Sequence, residues 1–242
     1  MATAALRLGQ VLFRFRSFTP LPVLAVLVWL LWRSRGTPGP GGPEVDAWLN
    51  GVGLAAAAAG QALRFYTLGQ VPEGTSGQGS ALEARTLNTQ GPYAWVRNPL
   101  YLGNLGICLG LMFVAHDAWV YALGLAFFFG EYFFIIRAEE DFLSQQFAGA
   151  YAAYQARVPR WVPRRPSGPT EPLRSGFDWR RALYKEHNPF AAWGSGALVL
   201  LAWERAARGE LSSAWLAVLA GMEIAVLVVF LGVKAAKHRW LT

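Results

Sequence analysis

The sequence predicts an all-α fold: a polytopic helical bundle in a membrane, with about six transmembrane helices. Three observations carry this expectation. Of the 242 residues, 54% are hydrophobic and only 15% are charged, where a soluble domain carries about 25%. The 11 Trp, 15 Phe and 8 Tyr are too much apolar surface for a disordered chain and must be buried in something. Finally, mean hydropathy is +0.26, and the apolar residues gather in separate stretches rather than being spread evenly. The single cysteine, Cys108, closes no intrachain disulfide, and three His are few for a Cys/His zinc site. Metal and thiol chemistry are therefore not expected.

The stretches are 17–32, 47–68, 99–115, 118–136, 189–203 and 211–233. A helix rises about 1.5 Å per residue, so about 20 residues cross a hydrocarbon core of about 30 Å. The second, fourth and sixth stretches are long enough and the third is slightly short. The first and fifth are shorter still, and are expected to be tilted, re-entrant or extended at their ends. Arg7, Arg14 and Arg16 ahead of the first stretch imitate a signal peptide, but Arg33 and Arg35 come after it with no small-residue cleavage site, so an uncleaved first span is expected.

The basic residues give the orientation. Their excess over acids is +7, and they are not spread as a nucleic-acid partner would require. With a cytoplasmic amino terminus, seventeen fall on the cytoplasmic side: Arg7, Arg14, Arg16, Arg85, Arg97, the nine from Arg137 to Lys185, Lys234, Lys237 and Arg239. Four fall outside, namely Arg33, Arg35, Arg205 and Arg208, and Arg64 lies near a helix end. The positive-inside rule then places both termini in the cytoplasm. The 34–43 connector, rich in Gly and Pro, reads as an external turn. The 157–181 connector, rich in Pro, Arg and Trp, reads as lying along the cytoplasmic head groups. The ratio of 19 Arg to 3 Lys points to a GC-rich bacterial genome and so to a bacterial cytoplasmic membrane.

Only His116 and Asp117 separate the third and fourth stretches, so these helices are expected to form a tight antiparallel hairpin. The segment entering the first helix then lies beside the segment leaving the second. This brings Gly91-Pro92-Tyr93-Ala94-Trp95-Val96-Arg97-Asn98-Pro99-Leu100-Tyr101-Leu102-Gly103 to Glu139-Glu140 at one interface. Asn98 and Pro99 suit an N-cap and a first helical residue, and the free N–H groups of a helix start attract carboxylate or phosphate. Arg97 adds a two-pronged donor and Tyr93 and Tyr101 add flat faces with hydroxyls. A carboxylate opposite them holds an ammonium or ribose hydroxyls. The pair of clusters therefore suits a zwitterionic or nucleoside-bearing cofactor in a pocket on the cytoplasmic side. Elsewhere, the alanines at 55–59 and the Gly106/Gly110 pair are small-residue faces for close helix packing. Glu131 and Glu223 sit inside apolar stretches and need a partner, with Arg64 a candidate. His187 ahead of Asn188-Pro189 is expected at another helix start, and Cys108 is an apolar filler.

Gly-Pro-Tyr-x-x-Val-Arg-Asn-Pro-Leu-Tyr-x-Gly at 91–103, the two-span hairpin, Glu139-Glu140, then Phe147, Tyr151, Tyr154 and Arg157-Val158-Pro159 resemble the isoprenylcysteine carboxyl methyltransferase and phospholipid methyltransferase superfamily, over about a third of the chain. The resemblance implies an integral-membrane enzyme that binds S-adenosyl-L-methionine near the cytosolic face and methylates a lipophilic small molecule or lipid entering from the bilayer. It implies cofactor contacts at Tyr93, Asn98, Pro99, Leu100, Tyr101 and Glu139, with Arg85, Thr86, Leu87, Asn88 and Gln78 as further candidates. Arg97 and Glu140 are the candidate catalytic residues, and Arg137 the candidate for an anionic substrate head group. Many members carry His where Asn98 stands, and the second Phe-Gly element reads Phe147-Ala148-Gly149 here. Residues 87–165 would be the methyltransferase core, between amino-terminal helices (1–86) and a carboxyl-terminal basic connector with its helices (166–242). A sterol-type membrane reductase using a nicotinamide cofactor also resembles the hairpin, but its Arg-x-Pro-x-Tyr element lies near the carboxyl end. A scaffold or carrier would leave the polar convergence without a purpose. The acceptor and the oligomeric state are not legible.

Overall fold

The computed structural model describes residues 3–34, 41–72, 82–166 and 176–240. Gln78, most of the 34–43 connector and residues 167–175 of the basic connector lie outside them. Among the described residues the protein is helical, with seven α-helices and no strand: α1 (Ala4–Phe15), α2 (Pro20–Ser34), α3 (Gly42–Gln70), α4 (Pro99–Ala115), α5 (Ala118–Arg157), α6 (Trp179–Ala207) and α7 (Ser213–Trp240), with a single 3-10 turn at Gly91–Ala94. Each of the six apolar stretches falls in one of α2 to α7, save residues 17–19 ahead of α2 and 211–212 ahead of α7. Two helices, α5 and the Ser213–Ala236 part of α7, are long and apolar enough by themselves to cross a membrane. The pair α1 and α2, bent by 73°, makes a third if taken as one broken span.

α3 and α6, at 29 residues each, have the length but not the apolarity. Two polar pairs join them across the bundle: Arg64 of α3 pairs with Glu186 of α6 at 2.6 Å, and Asn50 of α3 donates to Glu204 of α6 at 2.8 Å. Such pairs lower hydropathy while leaving no charge bare to hydrocarbon.

The centre of the bundle is the crossing of α3 on α4, which places backbone against backbone. A Cβ added at Gly60 would lie 2.4 Å from the Gly103 carbonyl oxygen, and one at Gly110 would lie 2.3 Å from that of Gly53. Only hydrogen at these positions allows the approach. Gly103 has a second purpose: its missing side chain leaves the passage through which the Arg64 side chain crosses α4, and a Cβ there would meet Arg64 Cγ at 2.5 Å.

The α4–α5 hairpin forms as expected. His116 turns the chain with φ 52° and ψ 23°, and the Asp117 carboxylate caps α5, accepting from the Trp119 and Val120 N–H groups at 2.8 and 3.0 Å. This turn, the start of α3 and the end of α6 meet at one end of the bundle. Arg208 grips the Asp46 carboxylate there and lies 3.0 Å from Glu204, while His116 Nε2 sits 3.1 Å from Asn50 Oδ1. The two carboxylates are thus already matched by a guanidinium. α5 spans 40 residues but is kinked at Ala148; the part before the kink, 118–147, is about 45 Å long, half as long again as a hydrocarbon core, so it continues beyond the apolar part.

Several expectations need correction. Residues 4–15 form a helix, α1, that the sequence reading did not anticipate; it is amphipathic, and Gly9 lets it lie on α5 against the Phe134 carbonyl. Asn98 occupies the N-cap position but its side chain caps nothing. Its amide donates instead to the Arg160 carbonyl at 3.0 Å. Pro189 does not begin a helix. α6 starts ten residues earlier, capped by Asp178, whose carboxylate accepts from Arg181 N at 2.9 Å. Packing outweighs the proline there: Asp178 N donates to the Gly69 carbonyl and the Arg181 side chain to that of Leu68 at 3.1 Å, so the first turn of α6 caps the end of α3. His187 is buried within that helix, its Nδ1 donating to the Tyr184 carbonyl at 2.7 Å. Arg64 pairs with Glu186 and with neither expected acid. Glu131 accepts from the Thr19 hydroxyl, and Glu223 from the Ser195 hydroxyl at 2.8 Å.

Candidate active site

The two motif halves meet at the end of the bundle opposite the Asp46 cluster. The chain reaches the start of α4 through the 3-10 turn at Gly91–Ala94, whose Gly91 takes φ 57°. It is fastened there by the segment that leaves α5. Arg97 N donates to the Pro159 carbonyl at 2.8 Å and Arg164 N to that of Trp95 at 2.9 Å. The Tyr154 hydroxyl donates to the Tyr93 carbonyl at 2.8 Å. Tyr151, Tyr154 and Val158 are buried together with Leu87, Leu143 and Phe147 around them, so an apolar cluster holds both halves to one another. The return of α5 depends on a break at Ala148, where φ is 37° and ψ −115°.

Side chains complete the union. Arg97 of the first half lies 3.1 Å from the Glu140 carboxylate of the second, which Arg160 also grips, with Nε at 3.0 Å. The Tyr101 hydroxyl donates to Glu139 Oε1 at 2.8 Å, and the Tyr101 and Tyr132 rings pack with centroids 4.5 Å apart. Between the halves lies a cavity of about 190 Å³. That is below the range of about 300–1,000 Å³ usual for ligand sites, so the chemistry of the lining rather than its size must carry an assignment.

Of the residues expected from the sequence, Thr86, Leu87, Asn88, Tyr93, Arg97, Asn98, Leu100, Tyr101, Glu139 and Glu140 line this cavity. Arg85 and Pro99 do not; Arg85 is exposed and Pro99 is buried in the first turn of α4. Arg137 lines a second, neighbouring hollow with Leu6, Phe133 and Arg160. The lining also includes Arg16, Arg64, Asn104 and Tyr132, which sequence reasoning did not assign to the site. Two of them carried a signal: Asn104 is one turn from Tyr101 on α4, and Tyr132 is two turns from Glu139 on α5, so each shares a face with a motif residue. Arg16 and Arg64 carried none, since they arrive from other helices. Arg16 lies over the Phe13 ring at 4.0 Å and donates to the Phe13 carbonyl at 2.9 Å.

The electrostatics are mixed in sign. Guanidiniums at 16, 64 and 97 face carboxylates at 139 and 140, with aromatic surface between them. Burial, then the Glu139 carboxylate, hold the Tyr93 hydroxyl well above the usual tyrosine range, with Arg64 pulling the other way. The hydroxyl therefore stays a neutral donor. Arg97 Nε is buried with no hydrogen-bond partner among the described residues, so one donor of the lining is left for a ligand. Such a site fits a molecule that carries both an ammonium and a carboxylate beside hydroxyls.

Residues 49–150 match the phospholipid methyltransferase family. The match runs from α3 through the hairpin to the break in α5, and it bears out the resemblance read from the motif residues. Beside that likeness to a family of methyltransferases stand the two or three spans, among the described residues, that are long and apolar enough to cross a membrane. The cobalt-zinc-cadmium resistance protein CzcN of Cupriavidus metallidurans is 38% identical over 85 residues, 35% of this chain and 39% of that protein. The chain thus matches about two fifths of that relative's length. No solved structure matches the chain.

Proposed function

We propose that this protein is an S-adenosyl-L-methionine-dependent membrane methyltransferase that methylates a lipophilic acceptor, either an isoprenylcysteine-like carboxylate or a phospholipid amine. One observation carries the reading above the others: the Arg97–Glu140 and Tyr101–Glu139 contacts tie the two motif halves around one cavity of mixed charge. When bound, S-adenosylmethionine supplies an electrophilic methyl group on a sulfonium, and its displacement calls mainly for alignment and exclusion of water.

The chain's own residues provide the holding groups. Glu139, steadied by Tyr101, takes an ammonium or ribose hydroxyls. Arg97 offers its buried Nε–H to a carboxylate, and Tyr93, Asn98, Leu100 and residues 86–88 shape the walls. Arg85, Pro99 and Gln78 complete the proposed cofactor region. Glu140, between Arg97 and Arg160, orients Arg97 and is the nearby base for an amine or thiol acceptor, whereas a carboxylate acceptor needs no base. Arg137, over the second hollow, meets an anionic head group.

In this reading α2 to α7 are six transmembrane helices with both termini in the cytoplasm of a bacterial cell, and 87–165 is the transfer core that the flanking helices enclose. A nicotinamide-dependent reductase is the alternative. Incubating the purified chain with methyl-labelled S-adenosylmethionine and a native lipid extract tests the proposal. A labelled lipid is expected; no transfer, together with binding of NADPH instead, overturns it.

A further inference from the structure

The polar groups buried between α3, α4, α5 and α6 form a chain in which the direction of every hydrogen bond is decided, because Trp193 and Arg64 can only donate. The Trp193 indole N–H donates to Gln61 Oε1 at 2.9 Å. Gln61 must therefore turn its nitrogen the other way, and it donates to Glu186 Oε2 at 2.7 Å. Arg64 meets the same carboxylate with two arms, Nε to Oε2 at 2.9 Å and Nη2 to Oε1 at 2.6 Å. Its third arm, Nη1, donates to Asn104 Oδ1 at 2.5 Å. Asn104 is then fixed with its nitrogen toward Tyr132, and donates to that hydroxyl at 2.7 Å. Tyr132 Oη accepts, so its own hydrogen must go elsewhere. Among the described residues no acceptor takes it, and Tyr132 lines the cavity.

We infer that Tyr132 is a further ligand-contacting residue whose hydroxyl donates into the cavity, and that Glu186 of α6 is the positioning residue that fixes this direction through Arg64 and Asn104. The acceptor atom is an oxygen or nitrogen of the methyl donor; that identity rests on the proposed function, whereas the direction of the hydroxyl rests on the hydrogen bonds alone. The inference also gives α6, which lies beyond the family-matched residues 49–150, a place in the site: it touches no ligand but sets the polarity of a wall. Glu186 is 2% exposed and Arg64 8%, and a buried charge pair of this kind is rigid because neither partner can leave the other without heavy desolvation cost.

The test uses the purified full chain in detergent, titrated with S-adenosylmethionine and with NADPH; whichever binds the wild type is the probe. Tyr132→Phe removes only the hydroxyl, and is expected to raise the Kd about tenfold. Asn104→Asp keeps an acceptor for Arg64 but offers Tyr132 an acceptor in place of a donor, so the hydroxyl turns from the cavity. It is expected to weaken binding about tenfold without lowering the unfolding temperature. Glu186→Gln weakens binding in the wild-type background and adds nothing in the Tyr132→Phe background, a coupling that a merely structural role would not produce. Wild-type affinity in either Tyr132→Phe or Asn104→Asp, or additive losses in the double variant, overturns the inference. A wild-type chain that binds NADPH and not S-adenosylmethionine contradicts the methyl-transfer reading instead, and the same variants then test Tyr132 with NADPH as the probe.

Discussion

Ala148 is the residue whose backbone costs the protein most visibly. Its φ of 37° lies where a Cβ is strained and glycine is at ease. The strain is tolerated because the break returns Tyr151 and Tyr154 to the site. Ala148→Gly should therefore stabilise the chain by about 1 kcal/mol, read as a higher unfolding temperature in detergent; a lower one would mean that α5 does not break there. Tyr101 tests the opposite kind of residue, one whose value lies in the ligand. Tyr101→Phe leaves Glu139 without its donor, and should weaken S-adenosylmethionine binding about tenfold, with an unchanged Kd as the contrary result. The residues legible in the sequence were those close along the chain: Arg97, Asn98 and Tyr101 fall within one short motif, and Glu139-Glu140 is tied to it by a turn two residues long. Arg64 and Arg16 were not legible as lining, because an arginine brought in from a distant helix leaves no local spacing. Asn98 shows a further limit. Its position as N-cap was readable, but not that its amide would reach across to the Arg160 carbonyl.

At the scale of elements, the α3–α4 crossing is the contact most sensitive to a single methyl group. Gly60→Ala or Gly110→Ala drives a Cβ to within 2.4 or 2.3 Å of a carbonyl oxygen, and each should cost about 2 kcal/mol of stability. Gly130→Ala, with nothing within 4 Å of the new Cβ, should be neutral or stabilising by up to about 1 kcal/mol. Unfolding of the three variants in graded denaturing detergent ranks them, and equal losses would contradict the crossing. The small-residue faces at 55–59 and Gly106/Gly110 announced this contact in the sequence. The start of α6 was misread because a proline after an asparagine is a common helix start, and only tertiary contacts from Asp178 and Arg181 to the end of α3 explain why the helix begins earlier. The partner of Arg64 was missed for the same reason: Glu186 lies before Pro189 and so outside the apolar stretch as read.

For the whole molecule, the Asp46, His116, Glu204 and Arg208 cluster and the cavity lie at opposite ends of the bundle, as the antiparallel α4–α5 hairpin requires. Asp46→Asn leaves Arg208, whose side chain is 12% exposed, with half its compensation, and should destabilise the bundle by about 3 kcal/mol while leaving ligand affinity untouched; a change in Kd instead would mean the two ends communicate. In the proposed topology that cluster faces outward. Glu210→Cys, at an exposed position beside that cluster, in a chain with Cys108 replaced by serine, should react with an impermeant thiol reagent in intact cells, and Arg164→Cys only after lysis. The six helices were readable from apolar runs, but their polar inner faces were not, because hydropathy cannot tell a charge facing lipid from one facing its partner. The central claim is that both ends of the α4–α5 hairpin hold one methyl donor, and its most direct measurement is calorimetric titration of S-adenosylmethionine into the wild type, Arg97→Ala and Glu139→Gln. The account predicts binding by the wild type and a loss of about tenfold or more in each variant. Undiminished binding in either variant would contradict it.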